Sequence, residues 1–285
     1  MANIRHTQFH NARLTALGVE PLTLSQMQAK LPSGPERVEF YMLMLVTAGQ
    51  GRHKVDFVDY SLRPGSLLLV RPGQVQEWQL NASLAAEIIL VDPASLPHGE
   101  LLWAAEADWL ALAHWPNHSE LSAEVCVEIM QAVTALGQDF ALFNGSELDI
   151  ALIRHQLLCL LIRVARLQQH QYAGQTDRSR KTYRMFIDLL EQHYQSCHQL
   201  HFYATKLGFA ESTLSRACYR AEGYSAKAVI DRRIALEAKR MLVHSQATVS
   251  EISFYLGFSE STNFSKFFRR LEGCTPQVFR QSRTA

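Results

Sequence analysis

Residues 256–273 read LGFSESTNFSKFFRRLEG, and residues 207–223 read LGFAESTLSRACYRAEG. What this repeated phrase can do physically decides the reading of the C-terminal third. In the second copy, Val249–Tyr255 reads as a short helix with Ser250 as its N-cap. Leu256-Gly257-Phe258 is the turn, because glycine accepts the left-handed backbone that stops a helix. Ser259 then caps a second helix, whose Phe264, Phe267 and Phe268 fall three and four apart and make a core face. Thr262, Asn263, Lys266, Arg269 and Arg270 are left on its outer face. Major-groove reading has these needs: short donors and acceptors reach base edges while Lys and Arg hold phosphates. A single copy would serve equally well as a helical hairpin with a solvated face.

The repeat breaks that tie. Residues 204–213 align with residues 253–262 position for position. One residue then slips, so that Leu214-Ser215-Arg216 aligns with Phe264-Ser265-Lys266 and Asn263 is extra. Both copies close on Glu-Gly, and residues 226–244 between them read as one long helix with Val229, Ile230, Ile234, Leu236, Ala238, Met241 and Leu242 as its apolar surfaces. Two reading helices on a rigid connector can meet successive major-groove faces, about 34 Å apart. A duplicated solvated hairpin has no such use.

Charge points the same way. Residues 1–177 hold 11 Lys and Arg against 18 Asp and Glu, whereas residues 178–285 hold 17 against 9. A basic third on an acidic remainder, hidden inside a net charge of +1, is a hint of nucleic-acid binding by the C-terminal part alone, beside the plainer reading that segments differ in charge by chance.

Residues 38–91 carry short apolar or alternating runs broken at Ala48-Gly49-Gln50-Gly51, Arg63-Pro64-Gly65 and Arg71-Pro72-Gly73, the pattern of a small sandwich or barrel. From Ala104 onward the pattern is helical. Leu121, Val125, Ile129 and Val133 form one face, and a longer, more apolar helix over residues 148–167 turns Leu148, Leu152, His155, Leu158 or Cys159, Ile162 and Leu167 inward. Such a helix needs a partner, either the strand domain or a second subunit. Residues 171–180, QYAGQTDRSR, are polar and lie where the charge flips, so they read as a linker between domains at 1–170 and 181–285.

The C-terminal hundred residues resemble the AraC/XylS family of bacterial transcriptional regulators through LGFAESTLSRACYRAEG, the connector DRRIALEAKRML, and VSEISFYLGFSESTNFSKFFRRLEGCTPQVFR. The resemblance implies a multidomain α+β chain: an N-terminal cupin-like β-barrel with trailing helices, then an all-α domain with two helix-turn-helix subdomains. It implies DNA contacts at Ser212, Ser215 and Arg216 in the first reading helix and at Thr262, Asn263 and Lys266 in the second, with Arg269 and Arg270 one turn on. Ala217-Cys218 replaces the bulkier pair usual there, and Ser225 stands where proline is common, so looser packing of the first subdomain is expected.

The N-terminal part is similar to the cupin-like sensor of the same family through GRHKVDFVDYSLRPGSLLLVRPGQVQEW. It implies a small-molecule effector, with Tyr41, Arg52, His53, Gln76 and Trp78 as the polar candidates to line its site, and a homodimer formed by the helices behind. No metal is expected, since His53 lacks the paired His-x-His and Gln76 stands where relatives often carry His. No cofactor and no catalysis are expected either: there is no GxGxxG, Walker A loop, HExxH or nucleophile elbow.

The expected partners are therefore double-stranded DNA, an effector, a second copy and, for an activator, RNA polymerase. The expected compartment is the cytoplasm, with no membrane span. His193, His198 and His201 read as surface residues, and Cys126 and Cys159 as small core residues. An interaction adaptor with a degenerate DNA module is the competing class, and Arg216, Lys266, Arg269 and Arg270 argue against it.

Overall fold

A computed structural model describes residues 5–7, 17–28, 34–79, 83–96, 112–171 and 177–284. The chain divides into two compact units, residues 4–172 and residues 173–285. Residues 104–111 lie outside the described set, as do residues 172–176 of the expected linker, and residues 177–180 of that expected linker belong to the first turn of a helix.

The first unit is built on ten strands among the described residues: β1 (Arg5–Thr7), β2 (Val19–Thr23), β3 (Glu36–Val38), β4 (Tyr41–Ala48), β5 (Gly51–Val55), β6 (Val58–Leu62), β7 (Ser66–Val70), β8 (Val75–Gln79), β9 (Ala85–Val91) and β10 (His118–Glu120). One sheet runs β1-β3-β8-β5-β6 and the other β10-β7-β4-β9-β2. A short helix, α1 (Leu24–Gln28), follows β2.

The expected cupin-like barrel does not form. Among the described residues no strand of one sheet pairs with a strand of the other, so both sheets stay open with free edges. They share a core instead: Val38, Val55 and Leu62 of the first sheet pack with Met42, Met44, Leu68, Val70, Ile88 and Leu90 of the second. Strand runs and turns suit a sandwich and a barrel alike. Closure depends on edge pairings between residues far apart in sequence, and no local pattern encodes those.

The two Pro-Gly sites have a definite role. The chain leaves β6 of one sheet at Arg63-Pro64-Gly65 and enters β7 of the other, then returns to β8 at Arg71-Pro72-Gly73. Gly65 and Gly73 take φ of 92° and 81°, which these corners require. Consecutive strands β4 through β9 thus alternate between sheets except at the β5–β6 hairpin. Its turn residue Asp56 holds φ at 55°, and its carboxylate accepts from the Gln74 side chain at 2.9 Å and the Val75 amide at 3.2 Å.

The second sheet is covered on both faces, which is why β4 and β7 read as unbroken apolar runs. Its outer face carries Leu43, Leu45, Leu67, Leu69, Ile89 and Val91, packed with α2 (Ala123–Leu142) and α3 (Glu147–Gln171). On α2, Ile129, Val133 and Leu136 are buried. On α3 the inward stripe is Ile153, Leu157, Leu160, Leu161 and Val164. Of the residues expected to face inward, Leu158, Ile162 and Leu167 pack half-buried against this core, whereas Leu148, Leu152, His155 and Cys159 are exposed. Because α3 is apolar on more than one face, periodicity alone did not choose between the stripes. Cys159 is accordingly exposed, and Cys126 is half-buried.

Among the described residues, α2 alone is long and apolar enough to span a bilayer by length and composition. Its packing is that of a domain helix: one face sits in the core, and Glu128 receives Arg163 and Arg166 at 2.7 Å.

Candidate nucleic-acid interface and effector site

The second unit is helical: α4 (Asp177–His193), α5 (Leu200–Leu207), α6 (Glu211–Glu222), α7 (Ala226–His244), α8 (Val249–Tyr255), α9 (Ser261–Glu272) and α10 (Pro276–Thr284). Helices α5 and α6 are the first helix-turn-helix and α8 and α9 the second, with α7 as connector. Gly208 ends α5 in the left-handed region, and Gly223 and Gly273 end the two reading helices in the same way. At the second turn, Gly257 has φ of 79°, and a Cβ there would lie 2.2 Å from the Gln195 carbonyl oxygen, so only glycine fits.

Two caps differ from expectation. Thr248, not Ser250, caps α8, in a full capping box with Glu251. Glu260, not Ser259, is the N-cap residue of α9, and its side chain does not cap. The extra residue of the second copy therefore lies in the turn, and each reading helix spans 12 residues. Ser212 thus corresponds to Thr262, Thr213 to Asn263, Arg216 to Lys266 and Arg220 to Arg270. Leu214 and Phe264 are both 0% exposed, as are Cys218 and Phe268. Ser225 caps α7 by accepting from the Ala228 amide, as Thr275 accepts from the Val278 amide. The proline counterpart is therefore Ala226, facing Pro276, rather than Ser225.

Aromatic contacts fix the second subdomain: Phe258, Phe264, Phe268 and Phe279 follow one another at centroid distances of 5.4, 5.9 and 5.4 Å. His198, expected at the surface, is half-buried. Its Nε2 lies 2.7 Å from the Leu256 carbonyl, its ring contacts Phe258, and burial pulls its pKa below the usual range. In the connector, buried Glu237 holds Arg240 at 3.0 Å and Arg233 at 3.3 Å, and Arg233 also binds Glu191 at 2.7 Å. Burial opposes the Arg233 charge, but these carboxylates outweigh it and raise its pKa.

On the outer faces, Ser212, Arg216, Thr262, Asn263, Lys266 and Arg269 are exposed and Ser215 is half-buried. Arg216, Lys266 and Arg269 make no ion pair among the described residues. Arg270 differs: its guanidinium binds Asp231 of the connector at 3.0 Å and so ties α9 to α7. The Thr262 hydroxyl donates back to Glu260 at 3.0 Å. Tyr219, at the helical position of Arg269, is 67% exposed and was missed in the sequence, where an aromatic residue reads as core.

In the first unit, three of the five effector candidates meet and two do not. His53 Nε2 lies 3.0 Å from Gln76 Oε1, Gln76 Nε2 donates to Glu36 at 2.8 Å, and Trp78 Nε1 donates to the same oxygen at 3.2 Å. The His53 and Trp78 rings meet edge to face at 4.4 Å. Burial lowers the His53 pKa to about 4, so the ring is neutral; with Nε2 donating, Nδ1 is an acceptor, buried and without a hydrogen-bond partner. Glu36, fully buried, organises the cluster and carried no sequence signal beyond its charge. Arg52 lies on the opposite face of β5, exposed, and Tyr41 packs on the helix side of the second sheet.

Two helix-turn-helix units on one connector, with free cations at matching helical positions, define a sequence-specific DNA-binding transcriptional regulator. Family models agree: an AraC-like ligand binding domain matches residues 22–148, and a helix-turn-helix domain matches residues 203–282. The chain belongs to the AraC/XylS family, whose members are regulators and not enzymes. It is 24% identical over 292 residues to the HTH-type transcriptional activator RhaS of Escherichia fergusonii, covering 100% of this chain and 99% of that protein. To RhaS of Escherichia coli O81 it is 25% identical over 250 residues, 86% of each chain. A solved structure of ToxT from Vibrio cholerae superposes with a TM-score of 0.43 at 9% identity, covering 94% of this chain and 100% of that one.

Proposed function

We propose that the protein is a homodimeric activator in which residues 1–170 sense an effector and dimerise, residues 181–285 read DNA, and residues 171–180 join them. The observation that carries the reading is the pairing of Arg216 with Lys266, exposed and unpaired at the same position of two reading helices. Ser212, Ser215, Thr262 and Asn263 supply short polar groups beside them for base edges, and Arg269 supplies a phosphate contact. Arg270 acts through Asp231 as a positioning residue as well.

The effector is a small molecule with a hydroxyl or amide donor, taken up beside His53, Gln76 and Trp78, where the Nδ1 lone pair of His53 accepts it. Effector binding changes DNA affinity or geometry, a coupling between two sites. Dimerisation is supported by the exposed stripe of α3, where Leu148 is 82% and Leu152 46% exposed. Activation, and with it a contact to RNA polymerase in the cytoplasm, follows the activator relatives.

The test is selection of bound duplexes from a random library, followed by titration at two salt concentrations. The expected motif has two boxes about one helical turn apart. Lys266→Ala weakens binding and lowers the salt dependence; unchanged affinity at both salt concentrations would remove Lys266 from the interface.

A further inference from the structure

A cleft of about 500 Å³ opens between the first turns of α4 and the flank of the first reading helix α6. Its wall carries Arg178, Arg216 and Arg220, with the hydroxyl residues Ser179, Thr182 and Thr213 between them, and among the described residues lining it none is acidic. Arg178 is exposed and, among the described residues, makes no ion pair. We propose that this cleft seats a backbone phosphate of the DNA, with Arg178 as a phosphate-binding residue contributed from outside the helix-turn-helix. The proposal rests on the DNA-reading assignment above.

Helical geometry sets the place. At about 100° per residue, Arg216 lies about 40° around α6 from Ser212, Arg220 about 80° and Thr213 about 100°. Ser212 and Arg216 therefore face the groove, while Arg220 and Thr213 face its rim, where the sugar–phosphate strand passes once α6 is in the major groove. Arg178 closes the same rim from α4. Fork-shaped guanidinium groups on two walls of one cleft suit a phosphodiester. Arg178 also stands six residues after the boundary between the two units at residues 172 and 173, so the chain enters the DNA-reading unit close to a DNA contact.

The full chain is titrated with a library-selected duplex and with an unrelated one over a salt series, as wild type, Arg178→Ala, Arg220→Ala and Lys266→Ala. Arg178→Ala and Arg220→Ala are expected to lose affinity several-fold on both duplexes and to flatten the slope of log K against log salt by about 0.9 per contact. The selected motif stays unchanged, and unaltered thermal unfolding shows that the variants are folded. A neutral methylphosphonate at the phosphate facing the cleft should weaken wild type by a larger factor than it weakens Arg178→Ala, which has already lost one of the contacts. If Arg178→Ala keeps wild-type affinity and slope while Lys266→Ala loses both, the cleft proposal falls and the DNA reading stands. A wild type that selects no motif and binds without salt dependence sinks both. Calorimetric binding of inorganic phosphate that needs Arg178, with no change in the DNA salt slope, makes the cleft a free-anion site and overturns the backbone assignment.

Discussion

Protonation of His53 would place a charge in the packed interior between two sheets, beside a tryptophan edge and with no acceptor for the new proton at Nδ1. Its pKa falls from 6.5 in the unfolded chain to about 4 in the folded one, so between those values the unfolded chain holds a proton that the folded chain does not. Stability is therefore full above pH 6.5, declines as pH falls toward 4, and levels off below; the whole effect is on the order of 3 kcal/mol. Urea unfolding followed by tryptophan fluorescence, all four tryptophans lying in the N-terminal unit, should show this decline in wild type. His53→Gln should flatten it across the same window whatever its baseline stability; an equal slope in the variant would assign the titration elsewhere. At the same scale, Arg270 shows that an exposed cation on a reading helix is not automatically available to DNA, since Asp231 already holds it.

Among the elements, α8 depends most visibly on its first turn. With 7 residues it is too short to persist on propensity, and Thr248 with Glu251 satisfies amides that would otherwise be orphaned. Thr248→Ala should cost about 1 kcal/mol, while Ser250→Ala, exposed and outside the cap, should stay within about 0.5 kcal/mol; urea midpoints by far-ultraviolet circular dichroism separate the two. Much of this unit was legible in the sequence, because Gly208, Gly257 and the spacing of Phe264 and Phe268 each state a local physical requirement. The first cap differs by two residues because Thr248 and Ser250 are both capping residue types, and only the Thr248 spacing brings Glu251 to the third helical position; the second differs by one because Glu260 takes the cap backbone without a side-chain bond that a sequence could advertise. For α3 the inward face was not legible: Leu148, Leu152, Leu157 and Leu161 are alike in sequence, and only the sheet they meet distinguishes them. The His53, Gln76 and Trp78 cluster was partly visible as polar residues on strands, but Glu36 joins it from β3, 40 residues from Gln76, a pairing no local pattern contains.

For the whole molecule, the acidic N-terminal part and basic C-terminal part agree with one portion seeking DNA and the other left free for a different task. The exposed leucines of α3 give the dimer a direct check. Leu148→Glu with Leu152→Glu should shift the sedimentation coefficient from dimer to monomer and leave the circular dichroism spectrum unchanged, because neither side chain serves the core. A wild type that sediments as a monomer at every concentration would end that assignment. The alternation of β4 through β9 between two sheets carries a consequence for how the first unit comes into being. Apart from the β5–β6 hairpin, neighbours in the chain are not neighbours in a sheet, so neither layer can be completed while the other is absent. Loop closure must precede most of the strand pairing, which raises the contact order and slows folding. A nascent or truncated chain that stops short of β9 lacks the strand that joins β2 to β4, and it is left with exposed strand edges rather than a smaller stable domain.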